Sequence, residues 1–143
     1  MGIVRAVNVS ERKGEKKHEV AVITLIEDYG VEHDAHGGSG RQVSLLAFER
    51  IEDMKKSLAT LRAGDFAENI TTTGLAASEL APGMRVAVGE ALLEITQIGK
   101  TCHKGCAIRE QVGYCIMPKE GVFGRVVRGG RVKKGDCIDL LAP

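Results

Sequence analysis

Glycine interrupts this chain too often for long helices to run through it. It fills 18 of 143 positions, about 13% against an ordinary share of about 7%. Glycine serves where φ is positive or where another backbone approaches closely, and it weakens helix interiors. Short strands and tight turns are therefore favoured over a helix bundle. Aromatic residues make up only 3%, with no Trp, which argues against a single-stranded nucleic-acid binder that stacks bases on rings. The 43% hydrophobic content is enough for a packed core and excludes disorder as the main state. The length fits one domain over residues 1–143.

The net charge of +1 hides an asymmetry. From Lys100 to Lys134 there are nine Lys/Arg and two acids, net +7. The remainder carries eleven Lys/Arg and seventeen acids, net −6. Such a basic stretch is either a solvated face or an anion site, because a local positive field concentrates phosphate-bearing ligands. No apolar run approaches the roughly 18 residues of a membrane span, and Met1 to Ser10 lacks the features of a secretory signal. The expected location is the cytoplasm, where the four cysteines would be reduced thiols.

Strands are expected at Ile3–Val9 and Val20–Ile26, both rich in β-branched residues. Glu11–Lys17 reads as a charged loop and His33–Gly40 as a glycine loop. Ser44 is placed to cap a helix that carries Leu46, Ile51, Met54, Leu58 and Leu61 on one face and stops at Gly64. Phe66–Thr73 reads as a short strand, and Leu75–Leu80 is too short to assign. Arg85–Val88 and Ala91–Ile98 form a hairpin across Gly89-Glu90. Lys104–Val112 is a possible short helix. Val122–Val127 and Val132-Lys133 read as a second hairpin across Gly129-Gly130, and Cys137–Leu141 as a last strand. About seven strands with one or two short helices imply a mainly β, β-rich α+β barrel or sandwich.

The strongest chemical cluster is Gly99-Lys-Thr-Cys102-His-Lys-Gly-Cys106. Cationic neighbours favour the thiolate of Cys102, the form that attacks or binds soft metals. The competing reading is a small buried thiol. Cys115 and Cys137 sit in apolar settings and read as core. Cys102, Cys106, His33 and His36 could make a Cys₂His₂ zinc set, although His33–His36 is one residue short of the usual spacing. Gly37–Arg41 could cradle an anion through its backbone N–H groups and Arg41, or be a plain surface turn. His36 could serve in acid–base or ligand roles. Asn69, beside Glu68, offers both donors and acceptors, as a pterin edge or an amide would require, although the stretch by itself reads as a plain turn.

Taken together, His33–Leu46, Gly64–Leu75, Leu80–Gln97, Lys100-Thr101-Cys102, Gly121–Arg125 and Gly130–Asp136 resemble the MOSC family, named after the C-terminal domain of molybdenum-cofactor sulfurases. Order and spacing match over nearly the whole chain. The resemblance implies a MOSC-like β-barrel and places the family cysteine at Cys102. That thiolate would ligate molybdenum, or carry sulfur as a persulfide. Lys100 and Thr101 flank it, and Arg41, Glu68, Asn69, Arg125 and His36 would complete a site for the molybdenum cofactor or a molybdopterin precursor. Partners implied are proteins of molybdenum-cofactor biosynthesis or molybdoenzymes, not nucleic acid or membrane, with the chain a monomer or small homo-oligomer. Many relatives have Pro where this chain has Thr101, and Cys106 is an extra thiol. No pyridoxal-phosphate domain accompanies the barrel, so this chain would not draw sulfur from cysteine by that route. Two alternatives stay open: a small molybdenum-cofactor oxidoreductase acting on N-hydroxylated compounds, and a non-catalytic zinc or structural module.

Overall fold

The computed structural model describes residues 2–12, 15–39, 41–55, 61–75, 77–99 and 121–141. Eleven strands and one short α-helix occur among them. The strands are β1 (Gly2–Val9), β2 (His18–Val20), β3 (Val22–Ile26), β4 (Gly30–Val31), β5 (Val43–Ala47), β6 (Ile70–Thr73), β7 (Arg85–Val88), β8 (Ala91–Ile98), β9 (Val122–Arg128), β10 (Gly130–Lys133) and β11 (Cys137–Leu141). The helix α1 is Phe48–Met54, and a single 3-10 turn lies at Ala77–Glu79.

Seven strands close into a barrel in the order β11-β7-β8-β9-β5-β6-β1, with β1 returning to β11. The closing pairs are Gly2↔Ile138 and Ile3↔Cys137, continued by Val4 N–H on the Asp136 carbonyl at 2.8 Å. β2 joins the other end of β1. A second sheet, β10-β3-β4, packs on the barrel. Its Ile23, Leu25, Val31 and Val132 share one buried cluster with Val7, Leu45, Ile70, Leu93, Ile95 and Ile138 of the barrel. Alternation makes this core. In β8 the apolar Ala91, Leu93 and Ile95 are buried while their neighbours are not, as a strand with one face inward requires.

β5 and β6 are parallel, so the chain must cross over between them, and α1 lies in that crossover. A second cluster, Leu46, Ile51, Leu61, Phe66, Ala67 and Phe123, seats it against the barrel. Of the expected helix face Leu46, Ile51 and Leu61 are buried, but only Ile51 of these lies in α1, which starts later than expected and ends at Met54 rather than Gly64. Ser44 and Leu46 belong to β5, and the Ala47 cap makes no side-chain hydrogen bond. Ser44 is thus no N-cap; a β-branched, apolar run entered the barrel ahead of the helix. The strand expected from Phe66 begins only at Ile70.

Two further expectations are corrected. β9 and β10 do not form a hairpin: β10 pairs with β3, and the chain passes from barrel to second sheet at Gly129-Gly130. A Cβ on Gly129 would sit 2.6 Å from the Leu25 carbonyl oxygen, and one on Gly130 2.8 Å from that of Glu90, so close approach rather than a turn demands these glycines. Cys137 is exposed, not core; Ile138, next along the strand, takes the inward position. The β7–β8 hairpin falls as expected, with Val88↔Ala91 flanking the two-residue turn. The possible helix at Lys104–Val112, and Leu58 of the helix face, lie outside the described residues. No helix among the described residues is long and apolar enough to cross a membrane.

Candidate functional site

Three loops meet at one end of β1. They follow β1, β4 and the crossover, and they bring Ser10, Lys17, Asp34, His36, Gly64 and Glu68 together. Lys17 Nζ and Asp34 Oδ1 lie 2.8 Å apart with both side chains fully buried. Taking two ions out of water costs several kcal/mol each unless further hydrogen bonds surround them. Here they do. Asp34 accepts from the backbone N–H of Ser10 at 3.0 Å and of His36 at 3.1 Å. Lys17 Nζ donates to Ser10 Oγ at 3.0 Å and lies 3.3 Å from His36 Nδ1. Burial alone would raise the Asp34 pKa, but the bonds from His36, Lys17 and Ser10 outweigh it and hold the carboxyl well below the usual range.

Glu68 and Asn69 organise the other half. Glu68 is completely buried, and its Oε2 accepts from Gly64 N–H at 2.9 Å and from the Thr71 hydroxyl at 2.6 Å. Its Oε1 and the buried Oδ1 of Asn8 have no hydrogen-bond partner among the described residues. Burial pushes the Glu68 acid up despite those bonds, and a neutral carboxyl lowers the cost of leaving Oε1 dry. Asn8 Nδ2 donates to Thr71 Oγ1 and to the Glu68 carbonyl. Asn69 ties β5 to β1: its Oδ1 accepts from Ser44 N–H at 3.0 Å and its Nδ2 donates to the Asn8 carbonyl. The two halves join at Gly64, whose carbonyl accepts from Lys17 N–H at 2.8 Å.

His36, Glu68 and Asn69 therefore belong to one network. Arg41 lies on the loop of His36, half-buried, with its guanidinium 5.8 Å from the centre of the Phe123 ring. Arg125 lies apart: it faces Glu94 at 3.8 Å and Asp28 at 3.9 Å. Lys100, Thr101, Cys102 and Cys106 lie outside the described residues. The point from which that segment departs is described. Ile98 pairs with Val122, and Gly99 N–H donates to the Gly121 carbonyl at 2.7 Å. Phe123, two residues on, carries the Arg41 contact and pairs with Ser44.

Among the described residues of the glycine loop, the backbone N–H groups are already taken. The backbone N–H groups of Gly37, Gly38 and Ser39 donate to the carbonyls of Asp34, Tyr29 and His36, and that of Arg41 donates to Ser39 Oγ. A Cβ on Gly37 would lie 2.5 Å from the Tyr29 ring, so a side chain there would have to displace that exposed ring. His33 is exposed beside Glu32, and no cluster of three metal-binding side chains occurs among the described residues. An open cleft of about 540 Å³ lies elsewhere, between β11, β7, β10 and β3, lined by Val22, Glu90, Arg131, Lys133, Asp136 and Cys137 among others. Four of its charges pair, Arg131 with Glu90 and Lys133 with Asp136, and Asp139 lines it as well.

Sequence reading missed Lys17, Ser10, Asn8 and Thr71. Nothing local separates buried Lys17 from its neighbour Lys16, and only the fold shows which one turns inward.

A closed seven-stranded barrel with a parallel crossover and a buried polar network at one end defines the class. The MOSC domain model matches residues 32–139, and the chain belongs to that family. Solved structures share the fold. YiiM from Geobacillus stearothermophilus superposes with a TM-score of 0.76 at 21% identity, covering 99% of this chain and 76% of that one. The YuaD protein of Bacillus subtilis gives 0.76 at 16% identity, covering 96% and 94%. YiiM from Escherichia coli gives 0.73 at 21% identity, covering 100% and 71%. No curated protein matches the sequence closely enough to count as a relative.

Proposed function

We propose that this MOSC protein binds the molybdenum cofactor or a molybdopterin precursor, or carries sulfur to it, through Cys102. The observation that carries the reading is positional. In this MOSC chain Cys102 comes three residues after Gly99 in sequence, whose N–H meets the Gly121 carbonyl, and Gly121 stands two residues before Phe123 with its Arg41 contact.

The described residues suit such a ligand. Arg41 and the part-exposed His36 would take the phosphate, Arg41 as a bidentate donor. Glu68 and Asn69 are fully buried, so they would act behind the ligand by fixing the backbone of the loops that hold it. The cofactor would supply a metal centre for which the Cys102 thiolate is a soft ligand. In the sulfur-carrying form the same thiolate would hold a persulfide. The partner would be a protein of molybdenum-cofactor biosynthesis or a molybdoenzyme, met in the cytoplasm.

Mass spectrometry of protein isolated from its host tests this. The expected result is either a bound pterin or one additional sulfur atom on Cys102, lost in Cys102→Ser while circular dichroism stays unchanged. Equal loading of the serine variant would remove Cys102 from the site, and neither species in the wild type would overturn the reading.

A further inference from the structure

His36 meets a buried ammonium through one ring nitrogen, and that contact fixes its chemistry. Lys17 Nζ lies 3.3 Å from His36 Nδ1. The same Nδ1 also lies 3.6 Å from Asp34 Oδ2, beyond hydrogen-bond reach, so the nearer ammonium, which has N–H donors and no lone pair, makes this nitrogen an acceptor. In the neutral imidazole the proton then sits on Nε2. Lys17 cannot swing to relieve this arrangement. Its side chain is wholly buried and held by Asp34 Oδ1 at 2.8 Å and Ser10 Oγ at 3.0 Å, and its own N–H is pinned to Gly64. Asp34 secures His36 from the other side by taking its backbone N–H on Oδ2 at 3.1 Å.

The exposure is graded along the cluster. Lys17 and Asp34 side chains are 0% exposed, while the His36 side chain is 21% exposed. The imidazole is thus the part of this trio that solvent reaches. With Nδ1 turned onto Lys17, the ring's other nitrogen diverges from the buried pair.

We propose that Lys17 and Asp34 are positioning residues that hold His36 as a fixed Nε2–H donor to an oxyanion, either a phosphate ester or an oxometalate. The buried pair is neutral overall, so it orients the ring without adding net charge. Arg41 supplies the cation. Ser39 bonds to the His36 carbonyl at 2.7 Å through Oγ, and the same Oγ accepts from Arg41 N–H at 3.1 Å, which builds donor and cation into one turn. A protonated Nε2 is neither a metal ligand nor a base, and Nδ1 is taken. His36 is therefore removed from the zinc set that spacing alone leaves open.

The oxyanion part rests on the cofactor reading above; the tautomer does not. Long-range ¹H–¹⁵N NMR of the wild-type chain, well above the ordinary imidazole titration range, reads both, with His36→Gln assigning the signal. The expected spectrum shows an unprotonated Nδ1 far downfield of a protonated Nε2. A protonated Nδ1 would overturn the proposal whatever the cofactor does. Lys17→Met should give a mixture of tautomers, and if it fails to fold the wild-type spectrum still decides. Inorganic phosphate and molybdate are then titrated separately. A saturable shift of the His36 Nε2 signal with phosphate assigns the ester, and with molybdate the oxometalate. No shift with either removes the donor role, while Cys102 loading remains a separate result.

Discussion

Gly64 sits where the two halves of the polar network join, and replacing it with alanine should be unusually costly. Its φ is +89°, and a Cβ there would overlap the carbonyl oxygen of Lys17 and lie 3.0 Å from the carbon. Gly83 and Gly135 provide controls, because their φ values are +94° and +95° with nothing within 4 Å of a built Cβ. All three substitutions incur the left-handed penalty of roughly 1–2 kcal/mol, and all three gain the same small benefit from a stiffer unfolded chain. Gly64→Ala alone must also push back the Lys17 backbone. That breaks the 2.8 Å Lys17 N–H to Gly64 carbonyl bond, worth about 1 kcal/mol. Crowding of this kind adds roughly 1–3 kcal/mol. The expected excess over the controls is therefore about 3 kcal/mol. With urea slopes of roughly 1–3 kcal/mol/M for a chain this size, the Gly64→Ala midpoint should fall below both control midpoints by about 1 M or more. Equal midpoints for all three variants would refute the reasoning, since the backbone angle is matched and only the crowding differs.

Removing either member of the buried Lys17–Asp34 pair, as Lys17→Met or Asp34→Asn, should cost about 3–5 kcal/mol in equilibrium unfolding, because the other charge is left buried. The double variant should lose less than the sum. The Asp34 carboxyl is held below its ordinary value of 3.8, so its contribution is present above that value and fades as pH falls through and below it; Asn at this position should abolish that acid limb. Glu68 has the opposite sign. Its folded acid is raised above the ordinary 4.5, so the unfolded chain gives up its proton first and stability declines as pH rises above that value. Glu68→Gln should flatten this decline in denaturant titrations taken across pH, and an unchanged slope would show that Glu68 is not held protonated.

The β7–β8 hairpin was legible because its information is local: alternating residues on both sides of Gly89-Glu90 specify turn and register together. The apolar face of the crossover was legible for the same reason, through Ile51 and Leu61. Partners distant in sequence were not. Val122–Lys133 carries the pattern of a hairpin, yet β10 finds β3, more than 100 residues earlier, and no local rule chooses between those neighbours. Ser44 shows a related ambiguity, since Val43–Leu46 can extend a helix or fill a barrel strand, and pairing with Phe123 and Ile70 decides it. In the site, Glu68 and Asn69 were singled out from their sequence setting, but their burial and their dependence on Asn8, Ser44 and Thr71 arise only from three-dimensional contact. Cys137 misread for a simpler reason: strand parity is set by the β1–β11 closure, and a one-residue shift of phase turns an inward thiol outward.

The hydrogen bond between Gly99 and Gly121 closes a seam of the barrel at the two ends of the 100–120 stretch. β8 and β9 pair as far as Ile98↔Val122, with two register shifts on the way, so the two strands meet at the point where positions 100–120 branch off. Loop-closure cost rises by only about 0.6 kcal/mol for each doubling of length. Changes in the length of that stretch should therefore cost little through loop closure itself. The scaffold can evolve there as a socket does, accepting new inserts while its walls stay the same.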